Sequence, residues 1–260
     1  MSHPKINQRA AVRLLQDAFN TVVQTQQDNI SAAAQLVVES LAADGVLQVF
    51  GTGHSRSFAM EIAGRAGGLV PANKLSLSDL VFYGDVSPQE MLDPALERDQ
   101  TLAERLLAVH DIRPADIFIL CSNSGGNGST VELARLVTES GHKLIVVTSM
   151  DHTTRISSRH SSGKLLYQLA DVVIDNGGVF GDAALDLPPA ADGTPRGSIA
   201  ATSSLTGTLI AQMLVTEVCG LLIEAGREVP ILISANIPGG DEHNERLRAA
   251  YTGRVRSEAP

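Results

Sequence analysis

The sequence predicts an α/β protein built on a doubly wound parallel sheet. Short apolar runs of about five residues recur along the chain with helical segments between them, as at 46–50, 117–121 and 144–148. A strand buried on both faces reads as such a continuous run. Strands that alternate with helices build parallel sheets through crossover connections. In addition, the first two of these runs end alike, in a glycine- and serine-rich loop followed by a helix start. Ligand sites in open α/β sheets lie outside the carboxyl ends of the strands, and both loops follow such ends.

Taken in order, residues 7–27 carry Val12, Leu15, Ala18, Phe19, Val22 and Val23 at helical spacing,. Ser31 reads as the N-cap of a second helix carrying Ala34, Leu36, Val37, Leu41 and Ala42,. These two helices cover the sheet of their own subunit or pack on a second copy. The first strand, 46–50, leads into Gly51-Thr52-Gly53-His54-Ser55 and a helix from residue 56 to about 65. Residues 67–71 close that helix and start a short second strand, 76–95 read as irregular, and 101–110 as helix. The strand 117–121 and the helix 129–140 flank Ser122-Asn123-Ser124-Gly125-Gly126-Asn127-Gly128. Strands at 144–148 and 171–175 follow. Residues 176–202 read as a long loop, and loops of that length are often functional. Thr202-Ser203-Ser204 caps an apolar helix to about 224, 231–233 reads as an edge strand, and Gly239-Gly240 opens a final helix. No domain boundary is visible, so residues 1–260 are expected to form one domain with N-terminal helices and a C-terminal tail.

Composition narrows the function. The chain has 260 residues, a net charge of −9, no tryptophan and only 3% aromatics. Without a basic cluster or stacking platforms, no nucleic-acid partner is expected. No run reaches the ~18 consecutive apolar residues of a membrane span, and the first twenty residues lack an apolar leader core, so a cytoplasmic protein with no membrane partner is expected. Cys121 and Cys219 sit in apolar runs and read as reduced core residues,.

The loop 122–127 is the sharpest signal. A tight turn between a buried strand and a helix presents backbone N–H groups, hydroxyls and the positive end of a helix dipole to one point, which suits a phosphate. A nucleophile elbow needs glycine where Ser122 stands, which argues against a serine hydrolase,. The third glycine position of a dinucleotide fingerprint starting at Gly51 is Arg56, and no P-loop sequence occurs, so no nucleotide cofactor is expected,. Glu61 and Arg65 stand four apart on the helix that starts at the first loop. The serine-rich segment 157–164 reads by composition as a solvated loop. In the tail, Asp241-Glu242-His243 sets a histidine beside carboxylates, a combination suited to proton transfer near neutral pH,. The seven histidines form no ligand pair, so no metal is implied,.

These residues resemble the SIS (sugar isomerase) domain, whose pattern of G-x-G-x-S and S-x-S-G loops stands here as Gly51-Thr52-Gly53-His54-Ser55 and Ser122-Asn123-Ser124-Gly125. The similarity spans about residues 7–235. More narrowly, the chain resembles a bacterial branch of uncharacterised SIS proteins related to phosphoheptose isomerase. That likeness is carried by the first loop, by Arg65-Ala66-Gly67-Gly68 and by Arg159-His160-Ser161-Ser162-Gly163-Lys164. Val173-Ile174-Asp175-Asn176-Gly177 and Gly239-Gly240-Asp241-Glu242-His243-Asn244 complete it.

The resemblance implies a three-layer α/β/α sandwich, a sugar-phosphate ligand and a homodimer or homotetramer. It places the phosphate on Ser122, Ser124 and Asn127, with Ser55 from the first loop, and adds Gly53, His54 and Asn123 to the substrate-binding residues. Many members carry Ser or Thr where this chain has Asn127. Phosphoheptose isomerases hold zinc with a histidine and a glutamate on the helix after the first loop. The matching positions here are Glu61 and Arg65, and arginine cannot ligate zinc. The leading expectation is a sugar-phosphate isomerase acting through an enediol, with Glu61 and His243 moving protons and Arg65 stabilising charge, and with no cofactor. The alternatives are a non-catalytic phosphosugar sensor and a sugar-phosphate lyase or etherase on the same fold.

Overall fold

The computed structural model describes residues 6–93 and 95–256. Two helices open the described chain, α1 (Gln8–Thr25) and α2 (Gln27–Ala42). Asn7 caps α1, its side-chain oxygen accepting the Ala10 N–H at 3.0 Å,. The second helix starts before Ser31. Gln26 alone separates the helices, and its buried amide oxygen accepts from the Asn29 side chain (2.9 Å) and from the Asp175 N–H (3.0 Å). Ser31 therefore lies inside α2, where its hydroxyl donates to Glu217 at 3.0 Å.

The chain continues as β1 (Leu47–Gly51), α3 (Arg56–Ile62), β2 (Ala72–Leu75), α4 (Asp79–Phe82) and α5 (Leu102–Ala108). Then come β3 (Ile117–Cys121), α6 (Gly128–Glu139), β4 (Leu144–Thr148), α7 (Met150–Thr153) and β5 (Val172–Asp175). These five strands are all parallel, in the order β2-β1-β3-β4-β5. From β1 the chain winds outward to β2, then returns to β3 on the other side and winds the opposite way. The switch point therefore lies between β1 and β3, where crevices for ligands form. Gly51 pairs with Cys121, so the two glycine–serine loops leave the sheet side by side.

Alternate strand residues serve opposite layers, which is why each strand reads as an unbroken apolar run. Leu47, Val49, Ile117, Ile119, Ile145 and Val147 pack on one face with α2, α3 and the long helix α8 (Ser203–Glu224). Phe50, Phe118, Leu120, Leu144 and Val146 pack on the other with α5 and α6. The result is the three-layer α/β/α sandwich. By length and composition α8 is apolar enough to cross a membrane. Here Ile210, Ala211, Leu214 and Val218 are buried in the first of these layers.

Several segments differ from the sequence reading. Helix α3 stops at Ile62, ahead of Arg65, because Gly64 and Gly67 take φ of 80° and 81°,. A one-turn helix, α4, stands in the segment 76–95. Residues 176–202 are not a bare loop: β6 (Ala183–Asp186) and β7 (Ser198–Ala201) form an antiparallel ribbon. The Thr202 side chain makes no cap bond to α8. Asp182, just ahead of β6, supplies the cap instead, accepting the Ser203 N–H at 2.8 Å and the Thr202 N–H at 3.1 Å. Residues 231–233 form no strand and make a single bridge, Leu69 to Ile231. The final helix, α9 (Gly240–Ala249), clasps that segment through Asn244, whose amide bonds both the N–H and the carbonyl of Ile233 at 2.9 Å.

Candidate functional site

Both loops are shaped by close approach. A side chain on Gly51 would begin 2.5 Å from the Ser55 carbonyl oxygen, and Gly53 has φ of 53°,. The chain can therefore fold back in a single 3-10 turn, Gly53–Ser55, before α3. His54 is exposed, and its carbonyl accepts the Ser57 hydroxyl at 2.9 Å. Under the loops lies Cys121. Burial pushes its thiol up to about 12, with the neighbouring Ser55 hydroxyl acting in the opposite direction. The thiol stays protonated and unreactive at neutral pH.

In the second loop the polar residues divide their tasks. Ser122 is buried, and its hydroxyl accepts the Gly125 N–H at 3.1 Å. Asn123 turns toward β4 and β5. Its carbonyl accepts the Ser149 N–H (3.1 Å), and its side-chain oxygen accepts from Asn176 (3.0 Å). Gly125 takes φ of 60° and turns its carbonyl to the Leu166 N–H at 2.8 Å. Asn127 is the N-cap residue of α6, but its side chain makes no cap bond. Its amide lies between opposite charges. The nitrogen donates to Glu97 Oε2 at 2.8 Å, and the oxygen accepts from Arg159 Nη1 at 3.4 Å. A carboxylate takes the NH₂ end and a guanidinium the oxygen end, which fixes the orientation of the amide.

Among the described residues, the backbone N–H groups of Ser124, Gly126 and Asn127 have no protein acceptor. They stand at the N-terminus of a twelve-residue helix, where the dipole favours an anion. A cavity of about 150 Å³ opens there, lined by Ser124, Gly126, Asn127, His152, Ile156, Ser157 and Arg159. That is about half the ~300 Å³ lower end of small-molecule pockets. It suits one phosphate group, with the rest of a ligand outside.

The segment 157–164 is not merely solvated. Arg159 donates its backbone N–H to the Gly126 carbonyl (2.9 Å) and lines the cavity. His160 is buried between Glu132 Oε2 (2.7 Å) and the Ser162 hydroxyl (2.8 Å). Arg135 and His160 together hold the Glu132 carboxyl down at about 2. This chain fastens the cavity wall to α6.

Nothing in the sequence singles out Glu97. It lies between β2 and α5 in a single turn, Leu96–Arg98, of a segment with little apolar periodicity. Its carbonyl accepts the Ser129 hydroxyl at 2.7 Å, and Arg98 presses on Gly128, where a side chain would begin 2.3 Å from the Arg98 carbonyl oxygen. One Glu97 carboxylate oxygen bonds Asn127. The other lies 3.5 Å from where a side chain on Gly53 would start. Glu97 thus reaches both loops.

The remaining sequence candidates do not line this cavity. Glu61 pairs with Arg65 and accepts from Gln212 on α8 at 2.7 Å. Those residues do not fit a zinc site, since an arginine and an amide occupy the carboxylate. Among the described residues no three His, Cys, Asp or Glu side chains cluster as metal ligands. His243 Nε2 donates to the Ile231 carbonyl at 3.1 Å. Ile231 bridges Leu69, ahead of the amino end of β2, whereas both loops follow carboxyl ends. Within one chain His243 does not join them. A larger cavity, about 760 Å³, lies between β2 and the tail, lined by residues such as Leu69, Val70, Tyr83 and Tyr251. Its lining includes Lys74, Arg248 and Arg256 but no residue of either glycine–serine loop, so the smaller cavity, which opens on the second loop, is the candidate site.

A parallel sheet with paired glycine–serine loops at its switch point places the chain among α/β proteins with the phosphosugar-binding fold. The SIS domain family matches residues 12–149, and the chain belongs to that family. It is 41% identical over 231 residues to the UPF0309 protein lmo0025 of Listeria monocytogenes, covering 89% of this chain and 91% of that one. It is 36% identical over 241 residues to the UPF0309 protein GK1441 of Geobacillus kaustophilus, covering 93% and 92%. Phosphoheptose isomerase GmhA from Neisseria gonorrhoeae shares the fold with a TM-score of 0.52 at 16% identity, over 82% of this chain and 98% of that one. A putative phosphosugar isomerase involved in capsule formation from Bacteroides fragilis matches with a TM-score of 0.53 at 18% identity, over 92% and 97%.

Proposed function

We propose that the protein binds a sugar phosphate and interconverts its aldose and ketose forms through an enediol. The observation that carries this reading is the set of free N–H groups of Ser124, Gly126 and Asn127 at the N-terminus of α6. With the Ser124 hydroxyl and Arg159 they form a receptor for one phosphate, and the sugar extends toward the first loop of Gly53, His54 and Ser55. Ser122 and Asn123 shape the receptor from beneath. The phosphosugar-isomerase names of the structural neighbours agree with this chemistry.

Isomerisation requires a base that takes the proton from the carbon next to the carbonyl and returns it to the adjacent carbon, while the oxyanion is stabilised. We assign the base to Glu97, whose carboxylate reaches both loops, with Glu61 and Arg65 as the second acid/base and charge-stabilising pair. His243 would take part only from a neighbouring subunit of a homodimer or homotetramer. We place the reaction in the cytoplasm. A panel of aldose and ketose phosphates screened by thermal shift, followed by NMR of C2 proton exchange in deuterated buffer, tests the proposal. Stabilisation with exchange and product is expected. The second reading, a non-catalytic phosphosugar sensor, draws on the closed Glu61–Arg65 pair; stabilisation without exchange would select it. No stabilisation by any member would overturn both.

A further inference from the structure

The turn α7 carries one histidine, held from several sides. The buried Ser149 hydroxyl accepts the His152 N–H at 3.1 Å and donates to the Gly178 carbonyl at 2.6 Å. The imidazole stacks on Phe180, with ring centroids 5.1 Å apart and planes 28° from parallel. Asp151 accepts the Phe180 N–H at 2.8 Å and pairs with Arg155, whose guanidinium carbon lies 5.7 Å from the Phe180 ring centre. Finally, His152 Nδ1 accepts the Gly181 N–H at 3.0 Å.

A ring nitrogen that accepts a hydrogen bond carries no proton, so the neutral imidazole has its N–H at Nε2. Nε2 has no protein partner among the described residues. His152 lines the cavity that Ser124, Gly126, Asn127 and Arg159 also line. We infer that His152 is a ligand-contacting residue whose fixed Nε2–H donates to the phosphate group held by the second loop. This rests on the phosphosugar reading above. It adds a side-chain donor from beyond β4 to the amides of the β3 loop. Glu97 is turned to Asn127 and Gly53 and does not line this cavity, so the groups on this wall act as donors to one phosphate. They also assign His152 to binding rather than to proton abstraction, since Nδ1 is committed to Gly181.

Two substitutions separate contact from scaffolding. Glutamine sets an amide N–H near the place of Nε2 but leaves Gly181 without Nδ1. Asparagine sets an oxygen near Nδ1 and nothing at Nε2. With inorganic phosphate as the probe in calorimetric titrations, His152→Gln should stay within about 3-fold of wild type and His152→Asn should weaken binding by about 10-fold or more, the usual effect of losing a bond to a charged group. Wild-type affinity in His152→Asn, with or without a loss in His152→Gln, would overturn the inference. A second measurement needs no variant. Long-range proton–nitrogen spectra of the wild-type histidines should show one ring protonated at Nε2 whose Nε2 resonance moves as phosphate saturates the protein; no such ring, or no movement, overturns it. Ser124→Ala, titrated in parallel, separates the two readings. If it weakens binding while His152→Asn does not, only the role of His152 fails. If wild type binds neither phosphate nor any sugar phosphate, the phosphosugar reading fails and this inference with it.

Discussion

Replacing Ser124 and Ser122 by alanine, one at a time, separates ligand binding from loop stability. Ser124 lines the cavity, and among the described residues its hydroxyl has no protein partner. Its removal costs the fold little, within about 0.5 kcal/mol for such a site. It deletes one hydrogen bond to a charged ligand, ~1.5–3 kcal/mol. At about 1.4 kcal/mol per factor of ten, the phosphosugar Kd rises roughly 10- to 150-fold. Ser122 is different, being 5% exposed and the acceptor for the N–H of buried Gly125. Alanine leaves that N–H without a partner, at a cost of ~1–3 kcal/mol. A chain of 260 residues loses about 2–4 °C of Tm per kcal/mol, so Tm falls by roughly 2–12 °C. Scanning calorimetry reads the stability and titration calorimetry with inorganic phosphate reads the affinity. An unchanged Kd for Ser124→Ala would take the loop out of the site. An unchanged Tm for Ser122→Ala would refute its role as the brace of Gly125.

Three further outcomes are expected. Glu97→Gln keeps the bond from Asn127 while removing the base, so proton exchange at C2 should fall by about 10²-fold or more and phosphate should bind more tightly once the nearby negative charge is gone; undiminished exchange would move the base elsewhere. Glu132 is held at about 2, below its ordinary 4.5, by Arg135 and His160, so its stabilisation is present above about pH 4.5 and is lost as pH falls toward 2; the stability gap between wild type and Glu132→Gln, about 1–3 kcal/mol at pH 5, should close as pH falls from about 4.5 toward 2, and a gap undiminished at pH 2 would contradict the assignment. Val12 and Phe19, 51% and 38% exposed, lie on the outer face of α1, so light scattering at micromolar concentration should report an oligomer that Val12→Glu with Phe19→Glu dissociates, whereas a wild-type monomer would show that these side chains cover nothing.

The sheet was legible because burial on both faces leaves a local mark. Ile117 through Cys121 are all buried, odd residues against α2, α3 and α8 and even ones against α5 and α6, so no polar residue interrupts the run. The two loops were legible for a related reason: positive φ at Gly53 and Gly125 and a crowded Gly51 demand glycine, and glycine is visible in a sequence. The cap of α8 and the start of α2 were not, because Asp182 and Gln26 act across turns whose geometry is set by neighbours rather than by sequence spacing. The walls of the site were hidden in the same way. Arg159 sits in a serine-rich stretch that reads as solvated, and Glu97 in a segment with no apolar period. Each becomes informative only once Asn127 is seen between them, its amide nitrogen on the carboxylate and its oxygen on the guanidinium. Asn127 itself stands out in the sequence only through the resemblance of its loop to the S-x-S-G pattern. In the fold the amide reaches two partners of opposite charge at once, with a donor for one and an acceptor for the other. A serine hydroxyl is too short to span both, so Asn127, Glu97 and Arg159 belong to one arrangement.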